Sequence, residues 1–136
     1  MPQDHVAVFR ASLQRCLAAP AFFEGFYDSF IGSSDEVKEK FKNTDMERQA
    51  KMLQDSLYVM AVAAQGGKNS PARSFLPGLA EKHSRKGLDI RPELYDLWLD
   101  ALLETVKGHD PECSPEVEAA WRATLASGIE YMRSHY

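Results

Sequence analysis

Apolar residues recur at helical steps along almost the whole chain. From Asp4 to Ala18, Val6, Phe9, Leu13, Cys16 and Leu17 fall three and four positions apart, which predicts an amphipathic helix buried on one face. Pro20 ends it and can open the next. A second helix, about Ala21 to Ile31, carries Phe22, Phe23, Phe26, Tyr27, Phe30 and Ile31, enough aromatic surface to be buried from two sides. Gly32-Ser-Ser-Asp is a stop followed by a cap, and a short helix over 35–41 points Val37 and Phe41 inward.

Thr44-Asp-Met-Glu47 has the S/T-x-x-E form of a capping box and predicts a fourth helix to about Gln65, with Leu53, Leu57, Met60, Val62 and Ala64 supplying apolar content. Breakers from Gly66 to Pro71 predict an extended loop before a short helix around His83, itself ended by Gly87. Pro92 then suits the first turn of a helix whose stripe is Leu94, Tyr95, Trp98, Leu102, Leu103 and Val106. Ser114-Pro-Glu-Val opens the last helix, with Val117, Trp121, Leu125, Ile129 and Met132 inward. No segment alternates with period two. The expected fold class is therefore all-α, with six to seven helices of unequal length.

Composition narrows the function. A chain of 136 residues accommodates one domain with a substantial core, 1–136 as a unit. Sixteen Lys and Arg interleave with twenty Asp and Glu, a formal charge of −4 with no basic block, so nucleic acid is not an expected partner. No apolar run approaches the roughly 20 residues of a membrane span, and Met1-Pro-Gln-Asp-His begins no signal-like segment. Two cysteines, Cys16 and Cys113, form no framework, which fits a reducing cytoplasm.

Against this background His83 stands out. Leu76, Leu79 and His83 recur at helical spacing, so the imidazole lies on an apolar stripe. One ring nitrogen can donate to the carbonyl of Leu79, one turn back, while the other faces apolar surroundings. A metal ion would satisfy it; so, on this residue alone, would an ordinary place in the core. On its own Tyr27 reads as a structural tyrosine before a functional donor, and Gln49, one turn before Leu53 on the same side, as a solvated helix residue.

The set is more specific than its members. Tyr27 within the second helix, Phe41 at a corner 14 positions later, Asn43-Thr-Asp-Met-Glu-Arg-Gln49-Ala-Lys-Met-Leu53, and Leu79-Ala-Glu-Lys-His83 followed by Ile90 and Pro92-Glu-Leu-Tyr95 together resemble a globin. The closer resemblance is to bacterial single-domain haemoglobins and the haem domain of flavohaemoglobins, over nearly the whole chain. It implies a globin fold around haem b (iron protoporphyrin IX), with His83 as proximal iron ligand and Phe41 stacked on the porphyrin. Leu53, Leu79, Ile90, Tyr95 and Trp98 would wall the pocket. Arg48, Lys82, Arg85 and Lys86 are candidates to meet the propionates. Tyr27 and Gln49 become a distal pair whose hydrogen bonds stabilise a polarised gas, oxygen more than carbon monoxide. Neither Met46 nor Met52 is expected to close the sixth position.

The resemblance implies reversible binding of oxygen, with carbon monoxide or nitric oxide as further ligands. Its alternatives are nitric oxide dioxygenation with a separate reductase, a gas sensor acting through a partner, and a haem-free helical interaction domain. Flavohaemoglobins continue into a flavin and nicotinamide reductase, for which the residues up to Tyr136 have no counterpart. Counting from Trp121, the position of their last-helix glutamate falls on Tyr136, with Glu130 earlier, which weighs against peroxidase-like activation.

Overall fold

The computed structural model describes residues 4–66 and 71–136. Residues 1–3, and most of the loop expected between Gly66 and Pro71, lie outside the described residues. Seven α-helices and one 3-10 turn follow in order among the described residues: α1 His5–Leu17, α2 Phe22–Ile31, α3 Asp35–Phe41, α4 Met46–Gly66, the 3-10 turn Pro71–Phe75, α5 Leu76–His83, α6 Glu93–His109 and α7 Pro115–Ser134. There is no strand among the described residues, and no helix there is long and apolar enough to cross a membrane.

Local chemistry sets the helix starts. The Asp4 side chain accepts from Val6 N, Ser34 from Val37 N and Ser114 from Val117 N, each satisfying a backbone donor that the first turn leaves free. At α4 the capping-box reading is displaced by one residue. Asp45, not Thr44, caps the helix: its Oδ1 accepts from Glu47 N at 3.1 Å and Arg48 N at 3.3 Å. A carboxylate is the stronger acceptor beside the positive end of the helix dipole, and Thr44 is left to line a cavity. Further along α4, Val62 is exposed while Ala61 and Ala63 are buried, so the inward face runs one residue to either side of the expected Val62.

Helix α1 packs chiefly against α7, and α2 against α6. Phe9 and Trp121 meet edge to face with centroids 4.6 Å apart at the first contact, and Phe26 reaches Trp98 at 6.2 Å at the second. Behind the aromatic pair lies a buried polar cluster. Trp121 Nε1 donates to Ser12 Oγ at 2.9 Å, Ser12 Oγ donates to Asp110 Oδ2 at 2.6 Å, and Arg15 grips both Asp110 oxygens at 2.6 and 3.0 Å. The Glu112 amide adds a further bond to Asp110 Oδ1, so the carboxylate is fully partnered. Burial pushes the Asp110 carboxyl upward, but the bonds from Arg15 and Ser12 outweigh it and hold the group below its ordinary value. This clamp fixes α1 to the corner between α6 and α7.

Candidate haem pocket

Helices α2, α3, α4, α5, α6 and α7 leave a cavity of about 300 Å³ between them. The iron-ligand, distal and wall residues expected from the sequence all line it: Tyr27 from α2, Phe41 from α3, Gln49 and Leu53 from α4, Leu79 and His83 from α5, Ile90 from the following segment, and Tyr95 and Trp98 from α6. Their separation in sequence is thereby reduced to a single chamber.

Helix α5 is short and two-faced. Leu76 and Ala80 are buried in the protein, while Leu79 and His83, offset by one helical step, are half-buried and line the cavity. His83 Nδ1 lies 2.8 Å from the Leu79 carbonyl, an arrangement in which Nδ1 carries the hydrogen and donates. That leaves Nε2, on a ring lining the cavity, as an unprotonated lone pair with no partner among the described residues. Burial lowers the His83 pKa against the opposing pull of its bond to Leu79, so the neutral imidazole is favoured.

The turn after His83 is closely specified. Leu88 N bonds to Lys82 O and Ile90 N to His83 O, both at 2.9 Å. Gly87 is needed there, because a Cβ would stand 2.3 Å from the Lys82 carbonyl oxygen. Asp89 adopts a left-handed φ of 54°, and Tyr136 donates to its Oδ1. Tyr136 thus reaches the loop beyond His83, while Glu130 is exposed on α7.

Elsewhere in the cavity the polar groups are few and poorly partnered. The Tyr27 hydroxyl lies 3.4 Å from the Gln49 carbonyl, long for an O–H···O bond, which is commonly near 2.7–2.8 Å. Burial pushes its pKa up to about 12, so the phenol keeps its proton at neutral pH and remains a donor. Gln49 is half-buried beside it, and its side chain acts on the Tyr27 hydroxyl, opposing part of the effect of burial. Tyr95 is likewise pushed up to about 12 by burial. Phe41 packs edge-on against Tyr27 and Phe30, with centroids 5.7 and 5.8 Å away.

The cavity has walls that sequence reading assigned to the core or passed over. Phe30, Val37, Leu94, Ile129 and Met132 carry the same periodic signal as core residues, because a helix face looks alike whether it meets another helix or a chamber. Ser56 and Met60 continue the Gln49–Leu53 stripe along α4 and could have been read from it. Met52 lines the cavity and Met46 does not. The basic residue at the wall is Lys40, whose Nζ donates to the Leu88 carbonyl at 2.9 Å, whereas Arg48, Lys82, Arg85 and Lys86 do not line it.

These features fit a haem. Among the described residues no three His, Cys, Asp or Glu side chains gather to hold a metal ion, so a metal at His83 must bring its remaining ligands with it. A flat apolar macrocycle carrying its own four nitrogens meets that condition, and Phe41, Trp98 and Leu53 offer the surfaces to bury it.

Comparison with known proteins identifies the fold. The Globin family model matches residues 10–132. The chain superimposes with a TM-score of 0.92 on the crystal structure of a Pseudomonas aeruginosa PAO1 protein described as structurally highly homologous to a human haemoglobin; the two are 41% identical over 98% of each chain. Among curated proteins there is no significant match. A match over nearly the whole chain, and a related structure of the same helical design, establish that the chain belongs to the globin family, whose membership implies a haem cofactor.

Proposed function

We propose that this globin reversibly binds a diatomic gas, oxygen foremost, at a b-type haem held through His83 Nε2. The observation that carries this reading is the Tyr27 hydroxyl: buried, protonated, and held loosely, by a long 3.4 Å approach to the Gln49 carbonyl and by the Gln49 side chain beside it. A structural tyrosine this deep would ordinarily complete its hydrogen bond. One held so loosely in the chamber that holds His83 is poised to donate to a ligand.

Haem, when bound, would supply an iron able to take up and polarise a diatomic gas. The chain supplies the rest. His83 holds the iron, and its Nδ1 bond to Leu79 fixes ring orientation and basicity. Tyr27 and Gln49 donate to the ligand from α2 and α4. Leu53, Ile90, Trp98 and Phe41 exclude water, which strengthens both donors. Lys40 is the residue placed to meet a propionate, by exchanging its bond to the Leu88 carbonyl.

An absorption spectrum of the purified protein tests this reading, first as isolated, then reduced without oxygen, then exposed to air and to carbon monoxide. A strong Soret band, one broad visible band on reduction and a stable two-banded oxygenated form are expected. Sharp six-coordinate bands in the reduced protein would mean that an internal side chain occupies the sixth position. No Soret band after added haem would reject the proposal and leave His83 as a core residue.

A further inference from the structure

The turn between α5 and α6 is wound back onto the helix that carries His83. Gly87 N and Asp89 N both donate to the Ser84 carbonyl, Leu88 N to Lys82 O and Ile90 N to His83 O, all at 2.9 Å. To follow this path Asp89 takes a φ of 54°. A residue with a side chain enters that left-handed region only at a cost, least for Asn and Asp, and stays there where its surroundings hold it.

What reaches it from outside is Tyr136, two residues beyond the end of α7. The Tyr136 hydroxyl donates to Asp89 Oδ1. Its main-chain carbonyl accepts from Arg85 N at 3.0 Å, and the Arg85 guanidinium lies over its ring, 5.0 Å from the centroid. One residue thus grips the turn at both ends. Among the described residues, one other side chain from elsewhere in the fold hydrogen-bonds to 84–89: Lys40, through the Leu88 carbonyl. Lys40 is the residue assigned above to a propionate, and a lysine that turns to a propionate lets go of Leu88. Tyr136 then remains as the tie between this turn and α7, which itself packs against α5.

We infer that Tyr136 is a positioning residue for His83: its hold on Asp89 and Arg85 fixes the turn, and the bond from Ile90 N to His83 O passes that constraint to the last residue of α5. The Leu79 carbonyl sets how the imidazole is rotated, while the turn sets where the backbone beneath it stands. A ligand residue whose backbone is held in advance loses less freedom when it takes a metal, so the cofactor stays longer. The same turn supplies Leu88 and Ile90 to the cavity wall. The inference rests on the haem reading for the role at His83; the tie between Tyr136 and the turn is a property of the fold.

Two measurements separate these layers. Tyr136→Phe removes the hydroxyl and keeps both the ring beneath Arg85 and the main-chain bond. Hydrogen exchange of the Leu88, Asp89 and Ile90 amides, followed in the protein as purified and after haem removal, should quicken on the order of fivefold, the scale of one net hydrogen bond, while α1 exchanges as in the wild type. Asp89→Asn keeps an acceptor on a side chain that tolerates the left-handed region, and should protect the turn as the wild type does. Unchanged exchange at all three amides in Tyr136→Phe would mean that the turn holds itself, and the inference fails even where the haem reading holds.

The haem-loaded protein reads the second layer. In the reduced, ligand-free state the iron–histidine stretching band of the resonance Raman spectrum should shift and broaden in Tyr136→Phe and in Asp89→Gly, and return in Asp89→Asn. Haemin transfer to an excess of an apo-globin acceptor should speed up on the order of threefold to fivefold in the first two. Because both remove the same bond, the double variant should match the singles. Faster transfer with an unmoved band would make Tyr136 a stabilising residue only, and a band and rate both unchanged while the amides exchange faster would equally overturn the positioning role. No haem uptake by the wild type would reject the gas-binding reading, and the role at His83 with it, leaving the exchange result to decide the tie.

Discussion

Two regions of this molecule bury polar side chains, and they treat them in opposite ways. At the corner between α1, α6 and α7, the Ser12 hydroxyl, the Trp121 ring nitrogen, both Asp110 oxygens and two of the three Arg15 nitrogens have partners at 2.6–3.0 Å. In the large cavity Tyr27 has one long contact to the Gln49 carbonyl and a weak one to the Gln49 side chain, and His83 uses one ring nitrogen of two. Saturated networks rigidify a fold, whereas unsaturated ones are a standing cost that a ligand can remove. The clamp is the place where stability resides; the cavity is where stability has been withheld for binding.

The largest effect on the cavity side is expected from His83→Ala. It removes the proposed protein ligand to the iron, so stable haem retention should be lost and added imidazole should restore a Soret band. Unchanged spectra would show that another residue holds the metal. Stability of the clamp should be untouched, since none of its members lines the cavity.

On the clamp side, Asp110→Ala leaves the Arg15 fork and the Ser12 hydroxyl without their acceptor. Arg15 is partly exposed and can turn to water, so the cost is about 2–3 kcal/mol rather than that of a wholly buried pair. Urea unfolding of matched haem-loaded proteins measures it, with the ligand spectra expected to stay as in the wild type. The pH dependence has a definite sign. The folded-state pKa of Asp110 is depressed, so the unfolded chain binds the proton more readily. The clamp's contribution is fully present above the unfolded value of about 3.9 and fades as pH falls through the lower folded value. The stability gap between wild type and variant should therefore be flat through neutral pH and close only in strong acid. A gap that closes near pH 6 would assign the effect to another group.

The two regions were not equally legible in the sequence. The helices, their order and the caps of α3 and α7 follow from periodicity, from Gly32-Ser-Ser-Asp and from Ser114, because those signals are local. The cavity residues were legible as a resemblance, through the order and gaps of Tyr27, Phe41, Gln49 and His83. The clamp was not. Ser12 and Asp110 are 98 positions apart, Asp110 sits in a segment that reads as an ordinary polar loop, and nothing local distinguishes a carboxylate that will be buried from one that will be solvated. Lys40 was missed for the same reason. Its role depends on α3 lying beside the segment after His83, where Lys40 meets Leu88 and Glu36 meets Arg91, a proximity that no short-range pattern encodes.

Tyr27→Phe tests the contrast between the regions most directly. A hydroxyl with one 3.4 Å contact contributes little to folding, so its removal should leave stability unchanged or slightly raised, the reverse of Asp110→Ala. Its loss should be felt by the ligand. One hydrogen bond to a polarised gas is worth about 1–2 kcal/mol, so oxygen dissociation should quicken on the order of tenfold or more, with much less change for carbon monoxide. Stopped-flow displacement of oxygen by carbon monoxide reads the first rate, and equal effects on both gases would mean that Tyr27 only packs.

Gln49→Leu should move the same quantities less. The amide is half-buried on the α4 wall and its side chain is longer and freer than the phenol, so more entropy is lost when it orders around a ligand. A neutral donor at that cost is worth about 0.5–1 kcal/mol, which corresponds to an oxygen dissociation rate raised severalfold at most. The informative variant is the double one. If Tyr27 and Gln49 donate independently, Tyr27→Phe with Gln49→Leu should multiply the two single effects. If the Tyr27 hydroxyl bonds to Gln49 and only one of them reaches the ligand, the double variant should match Tyr27→Phe alone. The Tyr27 hydroxyl approaches the Gln49 carbonyl at 3.4 Å and also feels the Gln49 side chain, so the pair is expected to couple and the double variant to fall short of the product of the single effects.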